Sequence, residues 1–235
     1  MALARAPKDT VADGGTVVAG TLAVAVSERL REDILNGRRK PGAKLRLEDL
    51  KSEFGVSWSP LREALSRLAA EGLLQAEEQR GYRVAPTSRD ELAEVLRLRV
   101  LLEPMALSDA IAQGDDDWEA EMLAAHHRLT KVEDQRNGAR GGVASEWEAR
   151  HRGFHETLIG GAASPILLQF CRSLNDMNDR YRRIFLAAHA FDRDVAAEHK
   201  AILDATLARD ARRANTLLKS HIERTGRNIL ASMRP

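Results

Sequence analysis

One cysteine, Cys171, is all that this chain of 235 residues contains. That excludes an internal disulfide framework and fits a reducing cytosol. Charge of one sign is lacking as well: 36 Lys and Arg stand against 35 Asp and Glu, a formal net of +1. No bulk basic field therefore draws the chain to nucleic acid. Division at Pro86 changes little, since residues 1–86 carry 14 basic against 12 acidic side chains and the remainder 22 against 23. Any affinity for phosphate has to come from locally placed cations. No run approaches the ~20 apolar residues that a membrane span requires, and no internal repeat of fixed period occurs. Residues 17–26 mimic the apolar core of a signal peptide, but Asp9 and Asp13 precede them. Leu22, Val26, Leu30 and Ile34 then continue at spacing four through polar sequence, which is one face of an amphipathic helix. Residues 1–20 are accordingly read as a flexible tail and 21–36 as the first helix of a cytoplasmic protein.

What is present between residues 21 and 86 is a set of alternating helix, turn and strand signals. The first helix stops at Asn36-Gly37, and Lys40-Pro41-Gly42 makes a turn. Leu45, Leu47, Leu50 and Phe54 give a short second helix, which Gly55 ends by supplying a left-handed residue. Ser57 caps a third helix, Pro60 lies in its first turn, and Leu61, Ala64, Leu65 and Leu68 form its core-facing stripe. Leu73 to Ala76 and Tyr82 to Ala85 are strand-like and enclose a polar loop closing on Arg80-Gly81. Helix, turn, helix and hairpin in this order spell a winged helix-turn-helix. In such a module the start of the recognition helix faces base edges while nearby cations meet phosphates. Ser57, Trp58, Ser59 and Arg62 lie at that end, Arg67 projects from the same helix, and Arg80 and Arg83 flank the wing. A competing reading pairs Arg62 and Arg67 with Glu63 and Glu71 on a solvated surface.

The same segment resembles the GntR family of bacterial repressors, whose recognition helix reads V-S-x-x-P-[LV]-R-E-A-L and whose wing carries R-G. Val56, Ser57, Pro60, Leu61, Arg62, Glu63, Ala64 and Leu65 match, as do Arg80 and Gly81. Trp58 stands where the family commonly has an arginine, and Glu48 where some members contact DNA with one; Arg46 is the nearby substitute. These departures bear on the operator sequence rather than on binding. The resemblance implies double-stranded operator DNA as partner.

After the linker Pro86-Thr87, Ser88 and Glu91 make a capping box, and from there the pattern is helical only. Helices are expected over 89–113, 116–136, 145–160, 164–190, 193–209 and 210–233. The fold class is thus mainly α: a winged helix-turn-helix over 21–86 and an all-α bundle over 87–235. Such a pairing resembles the FadR-type branch of the family, with its all-helical effector domain of the FCD type. Arg99-Val-Leu-Leu-Glu103 matches the branch's R-x-x-L-E, Phe154-His155 its F-H, and Glu198-His199 and Ser220-His221 its remaining histidine positions. Residues 147–158 are most similar to a subgroup sensing small dicarboxylates such as glutarate.

Four histidines stand out. His151 and His155 are one turn apart, so both rings reach one point from one face. His199 lies on a stripe with Val195, Ile202 and Leu203, and His221 beside Leu217 and Leu218, each turned toward the bundle interior. Imidazole is the commonest protein metal ligand, and burying an unpaired polar ring is unfavourable. A single histidine on such a stripe is ordinary core; four converging ones point to a divalent metal. The resemblance adds that many members of the branch bind a divalent ion with three histidines and an acid. Here His151 holds the acid's position, which favours zinc or nickel, with Glu148 as an oxygen alternative. His126, His127 and His189 are expected at the surface.

Arg99 falls on the stripe Leu92, Leu96, Leu102 and Ala106. It either turns inward as one grip on a small carboxylate effector, or forms a helix-surface pair with Glu103. In the cluster from Asp179 to Arg183, Arg182 is the candidate for the same pocket, while Arg180 and Arg183 are assigned to solvent. Three functions fit these residues: a homodimeric ligand-responsive regulator, a metal-dependent hydrolase, and a metal that only staples the bundle. No H-E-x-x-H occurs, and four histidines filling a tetrahedral site leave no open position for catalysis.

Overall fold

A computed structural model describes residues 14–77, 81–136, 143–186 and 194–233. The chain divides into two compact units at the Pro86–Thr87 junction. The first opens with α1 (Gly14–Leu35), followed by β1 (Lys44–Leu45), α2 (Leu47–Phe54) and α3 (Trp58–Ala70). A hairpin of β2 (Leu74–Glu77) and β3 (Gly81–Val84) completes it. The three strands form an antiparallel sheet in the order β1-β3-β2, with Leu45 opposite Tyr82 and Leu74 opposite Val84. Leu30 and Ile34 of α1, Leu50 of α2, and Leu61, Leu65 and Leu68 of α3 close over one another as its core.

Two expectations require correction here. The backbone is helical from Gly14, so the flexible tail does not extend to residue 20. No proline stands between Gly14 and Leu35 to halt the helix; residues 1–13 lie outside the described residues. Leu45 belongs not to the second helix but to β1, where it is buried and ladders onto β3. A two-residue strand is too short to show a period of its own.

The second unit holds six helices among its described residues: α4 (Arg89–Gln113), α5 (Asp116–Arg136), α6 (Val143–Gly160), α7 (Pro165–Leu186), α8 (Val195–Leu207) and α9 (Ala211–Ser232). Apolar residues at helical spacing on each build one core, with Leu107, Met122, Leu129, Trp147, Phe154, Leu158, Ile202 and Leu218 at its centre. Helix α4 lies against α6, α7 and α9, while α5 lies against α6 and α8. The contact of α4 with α9 is close because Gly226 offers no side chain: a Cβ there would collide with Leu96.

Only half of the expected capping box at α4 forms. The Ser88 hydroxyl accepts from the Glu91 amide at 3.2 Å, but the Glu91 carboxylate turns instead to Arg180 and the Tyr181 hydroxyl. That hydroxyl takes over the missing half by accepting from the Ser88 amide at 3.0 Å. Arg180 is therefore buried, contrary to its assignment to solvent. A tertiary partner on α4 outcompeted water. No helix among the described residues is long and apolar enough to cross a membrane.

Candidate metal centre and nucleic-acid interface

Within the second unit, α6 carries His151 and His155 on its inner face, α8 carries His199 and α9 carries His221. All four are buried, and one ring nitrogen from each lies within 4.8 Å of the others. The rings pack directly on one another, with centroids 4.5 Å apart for His151 and His155 and 4.9 Å apart for His199 and His221. Burial, then Arg182 and the neighbouring imidazoles, hold His151 well below its ordinary pKa. Burial, then His221, His199 and Arg99, do the same to His155. Both are thus neutral, the form that ligates metal.

The hydrogen-bond inventory tests whether a cation fits. Neither nitrogen of His155 has a partner, nor does Nε2 of His199. Buried ring nitrogens without partners are costly. Their neighbours are paired on the outer side: Nδ1 of His221 lies 2.8 Å from Glu198 and Nδ1 of His199 3.3 Å from Glu133. A carboxylate accepting from Nδ1 fixes the tautomer and leaves the Nε2 lone pair facing inward, the usual outer shell of a metal-binding histidine. Four nitrogens around a zinc ion stand roughly 3.3 Å apart for bonds of ~2.0–2.1 Å, so the rings need only draw inward.

Arg182 stands beside this centre, 2% exposed. Its guanidinium lies 5.2 Å from the Trp147 ring centre, and Trp147 in turn stacks on His151 at 4.6 Å. Asp179 accepts from its Nη2 at 2.8 Å and Glu148 forms an ion pair with the same nitrogen at 2.5 Å, while its Nε and Nη1 have no hydrogen-bond partner. Burial opposes the Asp179 carboxylate, but Arg182 and Arg152 outweigh it and hold the group below its usual range. Glu148, the alternative oxygen ligand, is ion-paired with Arg182. Arg99 does turn inward, yet its Nε is 2.5 Å from Glu103, and the two are 5% and 2% exposed. The expected alternatives for Arg99 were both partial: the pair exists, but in the interior. His126, expected at the surface, is half-buried with its ring edge-on to Phe154. His189 lies outside the described residues. The sequence marks neither Glu133 nor Glu198 as a histidine partner, because each meets a ring on another helix, 66 and 23 residues away.

In the first unit, Gly55 takes φ +62° and lets α3 leave at the angle of a helix-turn-helix. Ser57 occupies the N-cap position, but its side chain makes no capping bond, contrary to expectation. Pro60, the third helical residue, has no N–H to donate and so removes one of the two amides an N-cap side chain can bond. The Ser57 hydroxyl is exposed, as are Arg46, Ser59 and Arg62. Trp58 is half-buried against the core, and Lys51, unanticipated, sits 4.7 Å over its ring. Arg67 is exposed and pairs with Glu63 at 2.6 Å; Glu71 goes to Arg31 instead. Arg83 is tied down by Glu77 at 2.7 Å and the Gly42 carbonyl at 2.6 Å, so it braces the sheet. Gly81 opens β3 at φ +95°, and Arg80 lies outside the described residues.

Comparison with known proteins bears on both sites. Residues 22–84 match the family described as bacterial regulatory proteins, gntR family, and residues 94–224 match the FCD domain. The chain is 40% identical to the HTH-type transcriptional repressor GlaR of Escherichia coli strain K12, over 82% of its own length and 89% of that protein's. It is 39% identical to the HTH-type transcriptional regulator BphR of Paraburkholderia xenovorans strain LB400, a protein of uncharacterised function, over 86% of this chain and 83% of that one. Among solved structures, a GntR-type transcriptional regulator from Rhodococcus sp. RHA1 superposes with a TM-score of 0.70 at 25% identity, covering 91% of this chain and all of that one.

Proposed function

The chain belongs to the GntR family of DNA-binding transcriptional regulators and carries its FCD domain, and from that premise we propose a metal-loaded, carboxylate-responsive repressor acting as a cytoplasmic homodimer. The single observation that carries the metal is the set of four buried imidazoles brought together, two of which, His155 and His199, have ring nitrogens without a partner. His151, His155, His199 and His221 hold the ion. An all-nitrogen set favours zinc or nickel over harder cations. Bound there, the ion supplies positive charge and a Lewis-acidic position to an otherwise electron-rich interior. The family is one of regulators rather than enzymes, and nothing in these comparisons supports a hydrolase.

The effector is a small carboxylate, gripped by the two unpartnered donors of Arg182. Arg99 orients this wall through Glu103 rather than offering a free fork. Differential affinity of the effector for two conformations would shift the DNA-competent population. On DNA, Arg46, Ser57, Ser59 and Arg62 meet the operator, Arg67 and Lys51 add local cations, and Arg80-Gly81 reaches from the wing. Two such modules would read half-sites about one helical turn apart.

The test is metal content by mass spectrometry together with melting temperature, on protein loaded with zinc and then chelated. One ion per chain, lost in His155→Ala, with a melting temperature that drops on chelation, is the expected result. Small dicarboxylates should raise the melting temperature of the loaded protein further. A four-histidine set also fills a tetrahedral site by itself, which favours a second reading in which the ion only staples α6, α8 and α9. Under that reading chelation lowers the melting temperature while no carboxylate moves it. Protein that binds neither zinc nor nickel would sink both.

A further inference from the structure

Several arginines of the first unit are engaged by carboxylates, whereas one lysine is held in another way. Arg31 pairs with Glu71, Arg39 with Glu53, Arg67 with Glu63 and Arg83 with Glu77. Lys51, in the last turn of α2, has no ion-pair partner among the described residues. Its ammonium lies instead over the indole of Trp58, 4.7 Å from the ring centre. Glu48 stands three residues before it, a spacing at which Glu94 and Arg97 do pair, yet the lysine turns to the ring.

The difference is one of charge. A carboxylate neutralises the cation that it holds. An indole attracts an ammonium through its quadrupole but carries no net charge, so the lysine stays available to an anion. The ring covers one side of the ammonium, which has three N–H donors to offer. Trp58 is itself anchored: half-buried, it packs on the core of the first unit from the first position of α3. It therefore fixes where the charge stands. Exposed Arg62 follows four residues later, on the same line along α3.

We infer that Trp58 is a positioning residue for the operator contact: it holds the Lys51 ammonium, still charged, against a phosphate of the DNA backbone. The inference rests on α3 being the operator-facing helix of the proposed function, and it gives the two side chains different work. Lysine is a compact point charge on a flexible stem, without the planar fork that grips a guanine edge. It suits phosphate, which fixes register and carries no sequence information. Left to itself such a stem has many rotamers, and ordering it on binding opposes association. The indole orders it beforehand. Trp58 gives one face to Lys51 and packs its body in the core, so the reading of bases falls to residues further along α3, Arg62 among them.

Fluorescence anisotropy over a range of salt tests this, on the duplex that wild type selects from a random-sequence pool and on an unselected duplex. Lys51→Met keeps the stem without the charge, and Trp58→Leu fills the core without an aromatic face. Lys51→Met should weaken both duplexes alike and lower the salt slope by about 0.9 for each chain bound. Raising salt fourfold should then weaken wild type about 3.5-fold more per chain than this variant. Trp58→Leu should weaken both duplexes alike by about two- to five-fold per chain, the range of a cation–π contact. It should have no effect in the Lys51→Met background, and Trp58→Phe should keep most of the wild-type affinity. If circular dichroism shows Trp58→Leu unfolded, Trp58→Met gives the same reading. A wild-type salt slope in Lys51→Met, or losses that add in full in the double variant, would overturn the inference. So would a Trp58→Leu protein with an altered preference for selected over unselected DNA, because Trp58 would then read bases itself. Arg62→Ala tests the reading beneath and should lose that preference. If it does not, or if wild type selects no sequence, α3 does not face the operator and the inference falls with it.

Discussion

Arg62 on α3 and Arg182 on α7 carry the same guanidinium in opposite settings. The first is exposed and has no ion-pair partner among the described residues; the second is 2% exposed and gripped by Glu148 and Asp179. In the first unit exposed Arg46 and Arg62 are left to be neutralised from outside, which is what a surface for a polyanion requires. In the second unit the buried guanidiniums of Arg99, Arg180 and Arg182 are each paired within the bundle. A guanidinium therefore reports function only together with its surroundings. On the function proposed above, exposure without a partner goes with the DNA side and burial with spare donors with the effector side.

The largest expected effect comes from breaking the buried half of that contrast. Arg182→Met takes the guanidinium from Glu148 and leaves Asp179 with Arg152 alone. Removing one partner of a buried pair costs about 3–5 kcal/mol of stability. Urea denaturation of metal-loaded protein measures it; a loss below ~1 kcal/mol would show that water already reaches the site. The exposed half breaks differently. Arg62→Ala should leave the denaturation midpoint in place, as surface changes usually do, while operator affinity falls by about 1–3 kcal/mol. Fluorescence anisotropy at fixed salt reads the second number. A substitution that lowered stability and left affinity alone would reverse the assignment of α3.

The two units also differed in how far their sequences could be read. In the first, the signals were local: Gly55, Ser57 and Pro60 fix a turn and helix start within a few residues, and the matching motif names the helix. What local signals missed were the pairings of side chains already on that face, such as Arg83 with Glu77 and Lys51 over Trp58. In the bundle, helical periodicity placed the four histidines on inner faces, and the structure brings their rings together. Their outer shell was not legible. Glu133 and Glu198 act through partners on other helices, and Glu148 was drawn to Arg182 rather than inward, a choice that depends on α7. The carboxylate partners of a buried site are set by packing, which no single segment encodes.

A change of pH sharpens the comparison from the histidine side. His151 and His155 have folded pKa values held well below the ordinary 6.5, chiefly by burial. A base whose folded pKa is depressed binds its proton more readily in the unfolded chain, so the stability it contributes is full above the unfolded pKa. As pH falls below about 6.5, that contribution is progressively lost. Metal-free protein should therefore melt at lower temperature at pH 5.5 than at pH 7.5, and His151→Phe should flatten the profile. Arg62→Ala, whose group stays charged throughout, should leave the profile as it is. A metal-free melting temperature that is constant across this range would mean the imidazoles are not held neutral by folding.

The smallest effect belongs to Arg67, which stands between the two settings, exposed like Arg62 yet paired like Arg182. Its bond to Glu63 spans one helical turn at 2.6 Å, with both side chains nearly half exposed. Pairs of this kind contribute about 0.3–0.5 kcal/mol, and less at high salt. Arg67→Ala should thus shift the denaturation midpoint barely beyond error. Its effect on the operator is the sharper question. If Glu63 keeps the guanidinium to itself, affinity and its salt dependence stay at wild-type values. If DNA draws Arg67 away from Glu63, affinity weakens alike on all sequences and the salt slope falls by about one phosphate contact. The first outcome makes partnership the feature that separates DNA-reading from structural arginines in this chain; the second makes it exposure alone.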